Sequence, residues 1–307
     1  MYRKFQPFFI IAESPIHAGS GTELGLVDLP IQRERYTKFP KIEGSGIKGS
    51  IREVFEHSQS NNKMSINHVF GPEDGDAHAG SIAFTDAKIL LFPVRSLKGV
   101  FAWITCPMVL YRFYEDMKFS GKEDKLKDLD LTDIEKTVPS HSDLLISDTK
   151  VILEEFTFEV KKDDKTAKIA EKLSEIIFPN HLAYEYWRNK LKKDLVILLN
   201  DDFANFVTTS TEVITRTKIS NETGTVEPGA LWTEEYLPQD TILYSIALTT
   251  VVKVANDEDK GPFKGSTSDE EAQKVMEFFK QGLPEVIHIG GNQTIGKGIV
   301  RIKIWED

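Results

Sequence analysis

The chain has 307 residues, a single cysteine (Cys106) and a net charge of −10 from 38 basic and 48 acidic side chains. With 40% apolar and 28% charged residues the composition is globular, which excludes collagen-like, coiled-coil and fully disordered chains. One cysteine excludes an internal disulfide framework and a cysteine-based zinc site, and no uncharged apolar run of about 18 residues is present to cross a membrane.

In chain order, residues 4–14 are rich in Phe and Ile and read as a first strand rather than a signal peptide, because Gln6, Pro7 and Glu13 interrupt the apolar run. A cytoplasmic protein is expected. Residues 15–35 lack helical period and open on breakers, which predicts a long ordered loop of the kind that carries function. Ile47, Ile51, Val54 and Phe55 recur at helical spacing, so a helix is expected over about 46–57 with Ser45 as its N-cap. A strand follows over 81–93, then a helix over 105–118 with Pro107 in its first turn. The charged stretch 119–150 reads as a surface excursion. Strand-like residues return at 151–160, helices at about 166–178 and 180–192, and an apolar segment at 194–199. Residues 206–240 read as an extended hairpin with polar residues at its tip. A β-branched strand is expected over 241–254, an amphipathic helix over 268–282 capped by Gly282, a strand over 285–289, a glycine loop over 290–298 and a last strand over 299–305. Strand–helix–strand patterns at both ends predict an α+β fold: a split βαβ, ferredoxin-like (RRM-like) palm carrying large insertions.

The negative charge argues against a general nucleic-acid binder, but it is unevenly spread. Between Asp28 and Arg52 six basic residues face three acidic ones, and Gly290–Lys303 holds three basic residues and no acid. An anionic ligand therefore fits a local surface. The Gly290–Gly298 loop nearly matches a nucleotide-binding P-loop. Gly298 stands where that motif needs Ser or Thr, and a strand rather than a helix follows, so the nucleotide reading fails. Two readings stay open: a turn whose glycines allow positive φ, and a backbone cradle for a phosphodiester using Gly290, Gly291, Gly296 and Lys297. The number of glycines favours the cradle. The glycine-rich start of the helix near 46, with Ser45, Lys48 and Arg52, is a second anion candidate beside the plain reading of a capped helix with solvated charges.

The 15–35 loop holds His17, Glu23, Asp28, Glu34 and two arginines. Asp28 lies between Val27 and Leu29-Pro30, whose apolar flanks pin the backbone and aim the carboxylate. His17 reads as either structural or catalytic, and His288 as a sheet residue. The acidic runs at 257–259 and 269–271 lack calcium-loop spacing. No serine-hydrolase elbow or zinc-protease motif occurs.

Together, P-I-H-A-G-S-G, V-D-L-P-I-Q-R-E, F-P-K-I-E-G-S-G-I-K-G-S-I-R and G-G-N-Q-T-I-G-K-G resemble the RAMP superfamily and, within it, the backbone (fourth Cmr) subunits of type III-B CRISPR effectors. The resemblance spans both ends and the hairpin. It implies one RAMP domain over 1–307, with a palm of 1–57, 81–104 and 241–307, helical finger insertions of 58–80 and 105–205, and a thumb hairpin of 206–240. It implies guide RNA on the palm, copies stacked into a helical filament, and complementary target RNA cut at regular intervals where each thumb displaces a base. The family's cleaving aspartate falls on Asp28 and its histidine on His17. Glu234 and Tyr236 match supporting positions, and Lys48 and Arg52 match RNA-facing cations. A divalent cation such as Mg or Mn is implied without a ligand set. Implied partners are guide RNA, target RNA and the other Cmr subunits, including a small helical one on the fingers, with no membrane.

RNA carries its own nucleophile, the 2′-OH, so an endoribonuclease with Asp28 aiding its attack should leave a 2′,3′-cyclic phosphate. A non-catalytic guide-binding scaffold is the alternative, in which Asp28→Ala changes nothing. A stand-alone processor of guide precursors ranks last, given the acidic charge and the long thumb-like insertion.

Overall fold

In a computed structural model, which describes residues 1–22, 27–58, 62–73 and 78–306, the Phe-rich N-terminal run forms β1 (Lys4–Ala12). Successive side chains of a strand point to opposite faces, and here both faces are covered. Phe8 meets Phe279 on one side, and Phe9 meets Phe113 and Trp305 on the other. That is why the strand reads as a continuous apolar run rather than an alternating one.

The chain continues through β2 (Lys41–Ile42), α1 (Gly44–His57), α2 (Lys63–Phe70), β3 (Ile82–Phe84), β4 (Ala87–Arg95), β5 (Phe101–Thr105) and α3 (Pro107–Phe119). The next segment holds β6 (Thr137–Pro139), β7 (Lys150–Leu153), β8 (Phe156–Glu159), β9 (Lys161–Asp163), α4 (Asp164–Ile177), α5 (Glu185–Lys193), β10 (Leu195–Ile197) and α6 (Asn200–Thr209). Then come β11 (Glu212–Ile219), β12 (Val226–Tyr236), β13 (Ile242–Thr249), α7 (Ser268–Gly282), β14 (Val286–His288) and β15 (Ile299–Ile304).

The fold is mixed α+β, as the sequence predicts. The main sheet has the order β14-β15-β1-β13-β4-β5-β10-β6-β9, with β2 on β4 and β3 on β13. β1 runs antiparallel to both neighbours: Phe8 stands opposite Ser245 of β13 and Ile304 of β15. The long hairpin β11–β12 stands outside this sheet as its own two-stranded ribbon. Among the described residues no helix is long and apolar enough to cross a membrane.

Several local expectations are corrected. Ser45 lies inside α1, not at its cap; Asp86 caps from across the fold, its Oδ1 accepting from the Gly44 amide at 2.9 Å. Gly282 is the last residue of α7, and Leu283 follows it in extended conformation. A Cβ at 282 would sit 2.4 Å from the Phe55 ring, so glycine is there for close packing. The 119–150 segment is not a mere surface excursion: Leu126, Ile134, Val138, Leu144 and Leu145 are buried, and β6 joins the main sheet. The expected helical fingers are therefore part strand. The 81–93 strand breaks into β3 and β4, and β5 was not anticipated. Helix α6 went unpredicted, although Phe203, Phe206 and Val207 hold helical spacing and are buried. Thr- and Val-rich composition at its end masked the period.

Candidate active site at the base of the hairpin

The last residues of β12, Trp232–Tyr236, are where the site forms, because three distant segments dock on them. The 27–33 segment lies parallel to β12: the Leu29 amide donates to the Thr233 carbonyl, and the Glu235 amide donates to the Leu29 carbonyl, both at 3.0 Å. The 16–17 turn pairs just beyond, where Ile16 and Leu237 exchange both backbone bonds at 2.9 Å. The terminal glycine loop closes on that turn, with the Gly291 amide donating to the His17 carbonyl at 2.9 Å. The described parts of the long loop are thus ordered by pairing. Its Glu23 lies outside the described residues.

Asp28 is exposed, yet fixed. Its Oδ2 accepts from the Thr233 amide at 2.8 Å and the Thr233 hydroxyl at 2.9 Å, while its own amide donates to Thr233 Oγ1 at 3.0 Å. These bonds, the Thr233 amide first, hold the Asp28 carboxyl below its ordinary pKa. The site therefore presents an ionised carboxylate on a rigid mount. His17 sits half-buried, with its ring 5.4 Å from that of Tyr236 and Nδ1 donating to the Glu235 carbonyl at 2.7 Å. A carbonyl can only accept, so that bond places a hydrogen on Nδ1.

Glu234 and Tyr236 answer differently from expectation. They are 6% and 0% exposed and belong to a closed network. Tyr236 donates to Glu234 Oε2 and accepts from Arg216 at 3.0 Å and Asn292 at 2.8 Å. Glu234 also accepts from Trp232 Nε1 at 2.8 Å, Asn292 at 2.9 Å and Arg216 at 3.3 Å. Burial works to raise the Glu234 pKa, but bonds from Tyr236, Trp232 and Arg216 outweigh it and hold the carboxyl low. Burial, and then the Glu234 carboxylate, push the Tyr236 phenol up. Glu234 is charged and Tyr236 neutral at pH 7, and neither has surface from which to touch a substrate. The structure places both in the sealed network at the hairpin root, away from the surface that carries Asp28.

In the glycine loop, the amides of Gly291, Ile295, Gly296, Lys297 and Gly298 all donate to the protein's own carbonyls, so these five do not form a vacant phosphate cradle. Its glycines also serve geometry. Gly290 has φ +91°, and a Cβ there would lie 2.4 Å from the His17 carbonyl oxygen. The loop also carries Asn292, left-handed at φ +68°, into the Glu234 network, while Lys297 Nζ lies 5.1 Å over the Tyr236 ring. Gly290→Ala should therefore cost more than about 2 kcal/mol by strain plus collision. Gly296→Ala, also at positive φ but in open space, should cost about 1 kcal/mol. Thermal melts of the two variants check this; equal shifts would contradict the packing of the loop on His17.

On α1, Ser45 is exposed, and Lys48 is half-buried with no carboxylate partner among the described residues. Burial, then the Arg52 and Lys253 charges, lower the Lys48 pKa. Arg52 is bonded within the fold, to Glu56 at 2.6 Å and the Gly71 carbonyl at 2.9 Å. The structure thus does not unite Lys48 and Arg52 as two outward cations. Among the described residues no three His, Cys, Asp or Glu side chains cluster to hold a metal. One Asp28 oxygen already accepts two hydrogen bonds from Thr233.

Sequence reasoning missed Thr233, Glu235, Arg216 and Asn292. Glu235 is 5% exposed and binds three ways: from the Ile31 amide at 3.0 Å, Arg33 at 2.5 Å and the Thr211 hydroxyl at 2.7 Å. The available signal was the two-residue period of W-T-E-E-Y, which puts Thr233 and Glu235 on the face opposite Glu234 and Tyr236.

The model of the RAMP superfamily matches residues 9–301. The chain is 41% identical over 301 residues to the CRISPR system Cmr endoribonuclease Cmr4 of Pyrococcus furiosus, covering 95% of this chain and 93% of that protein. The crystal structure of oligomeric Cmr4 from the same organism superposes with a TM-score of 0.72 at 32% identity, covering 99% of this chain and 98% of the other. A chain of the type III-B Cmr-beta complex bound to cognate target RNA shares the fold, with a TM-score of 0.75 at 23% identity over 99% and 98% of the two chains. The chain belongs to the RAMP superfamily and, within it, to the Cmr4 family of CRISPR-system subunits.

Proposed function

We propose that the chain is the backbone subunit of a type III-B CRISPR ribonucleoprotein, which holds guide RNA along a filament of its own copies and cuts complementary target RNA at regular intervals. The observation that carries the cleavage reading is Asp28: an exposed, ionised carboxylate bolted by Thr233 to the root of a hairpin.

The palm is the four-strand order β15-β1-β13-β4 with α1 and α7, which is the ferredoxin-like arrangement; this order supports the reading. The 58–80 and 105–205 segments serve as fingers, and β11–β12 is the thumb. Guide phosphates meet Lys48 and the exposed Ser45 and Gly46 at the start of α1, beyond the Gly44 amide that Asp86 already holds. Leu182 and Tyr186, both exposed near α5, offer the fingers a surface for the small helical subunit. Each copy contributes little affinity, and multivalency along the filament adds it up. Such a complex works where RNA is found, in the cytoplasm.

In the reaction the 2′-oxygen forms a bond to phosphorus, the bond to the 5′-oxygen breaks, the 2′ proton leaves, and the departing 5′-oxygen takes up a proton to become a hydroxyl. A carboxylate of depressed pKa is a weak base, so Asp28 acts chiefly by accepting that hydroxyl's hydrogen bond and setting its line of attack. His17, through Nε2, is the candidate proton carrier. Glu234 and Tyr236 hold the thumb root, Asn292 and the His17 turn in register. Mg or Mn stays an expectation of the family; the described residues form no cage for it, and no step here runs through it.

The test assembles the complex with a guide and sibling subunits, adds end-labelled complementary RNA and analyses product spacing and termini. Evenly spaced cuts with 2′,3′-cyclic phosphate ends are expected. Termini bearing 3′-hydroxyls would point instead to attack by water.

A further inference from the structure

The turn that follows the Asp28 segment has no part in the site described above, yet it displays an exposed aromatic ring on a rigid mount. Tyr36 is 80% exposed. Its hydroxyl accepts from Arg112 at 2.5 Å, and the Arg112 guanidinium lies over the ring, 5.5 Å from its centre. Arg112 is in turn held by both oxygens of Glu34, at 3.1 and 3.3 Å, and packs over Phe39. Glu34 also accepts from the Thr37 hydroxyl at 2.5 Å. The turn is closed by the Glu34 amide on the Phe39 carbonyl at 2.8 Å and by Lys38 at φ +63°. The ring is backed by a cation and is otherwise largely exposed.

Arg35 and Lys38 flank Tyr36 in the sequence of the turn. Both are exposed, and neither has a carboxylate partner among the described residues. In a chain of net charge −10, two unpaired cations beside a fixed aromatic ring mark a local choice. An aromatic face with adjacent cations is how single-stranded nucleic acid is gripped: the base stacks, and the flanking phosphates meet the charges. A ring already immobilised by Arg112 loses little side-chain freedom when a base covers it.

We infer that Tyr36 is a stacking platform for one unpaired RNA base, with Arg35 and Lys38 on the neighbouring phosphates. This rests on the reading of the chain as an RNA-guided subunit. The segment continuity places the platform a few residues beyond Asp28 on the same pinned strip, so it positions the RNA rather than touching the reacting atoms.

The test uses the assembled complex and RNA carrying 2-aminopurine at successive positions, in the target in one arm and in the guide in the other. The expected result is quenching at one position of each repeat, present in wild type and Tyr36→Phe and lost in Tyr36→Ala. Each stacked base lost should weaken binding about 5- to 150-fold. Arg35→Ala and Lys38→Ala should each lower the salt slope of binding by about 0.7. The labelled strand that responds identifies the source of the base. Fluorescence identical in wild type and Tyr36→Ala overturns the platform, even where cleavage is normal. If sedimentation then shows Tyr36→Ala loosening self-association, the ring is a contact between copies instead. A wild-type complex that quenches without cutting overturns the cleavage reading and upholds the platform.

Discussion

Asp28→Asn should abolish most target cleavage while leaving target binding unchanged. The substitution keeps the side chain's shape and an oxygen for Thr233, and removes only the charge. General acid–base and orienting roles of this kind are worth roughly 10² to 10⁴ in rate, so the cut products should fade by that factor on a denaturing gel at equal occupancy. Thr233→Ala gives a softer version of the same loss, because it removes the hydroxyl that donates to Asp28 and leaves the backbone amide in place. The pH dependence carries a sign. The Thr233 bonds depress the Asp28 pKa, so the carboxylate is charged at every pH above its ordinary range, and its contribution to rate stays flat between about pH 5 and pH 8. The anchoring it provides is likewise present above the ordinary carboxylate pKa and is lost only as pH falls through the depressed value. Unchanged products from Asp28→Asn would move the chemistry to another residue or subunit and leave this chain as a scaffold.

Glu235→Ala should be the most destabilising single change at the site. It strands the Arg33 guanidinium, the Ile31 amide and the Thr211 hydroxyl, all held by one buried carboxylate. Breaking a buried, hydrogen-bonded ion pair by removing one partner costs about 3–5 kcal/mol. For a chain of this size that lowers the melting temperature by roughly 5–8 °C. Cleavage should fall as well, because Glu235 clamps the strip that carries Asp28. Arg33→Ala should cost less, since the remaining carboxylate keeps two donors, and the double variant should cost less than the sum of the two. Calorimetry on the three variants checks this; a Glu235→Ala protein as stable as wild type would mean that the strip is not held there.

The two expectations differ in how readable they were. Asp28 was legible because its neighbours announced it: Val27, Leu29 and Pro30 predict a pinned backbone, and the motif around them is specific to one family. Glu235 was not, because a carboxylate beside Glu234 in a strand looks like one more solvated charge until the other side of the strand is known. The same holds for Asn292, which reads as loop filler but sits left-handed with its amide on Glu234 and Tyr236. Arg52 is a converse case. Its helical spacing from Lys48 was read correctly, but spacing along one helix says nothing of Glu56 and the Gly71 carbonyl, which occupy it.

By itself the sequence determined the elements whose signals are local. The apolar periods of α1, α3, α4 and α7, the polar-tipped hairpin and the β-branched strand at 242–249 depend on neighbours within one or two turns, and so they could be read from composition and spacing. The α+β class followed from their order, and the family from four short motifs. Only the tertiary structure decided what caps α1, why glycine is required at 282 and 290, and which side chains of 232–236 face a substrate and which are sealed. Those outcomes depend on groups far apart in the chain: Leu29, Glu234 and Asn292 are brought to one strand end. Hydrogen bonds and burial at such separations are set by the sheet that carries both ends, and no local pattern records them.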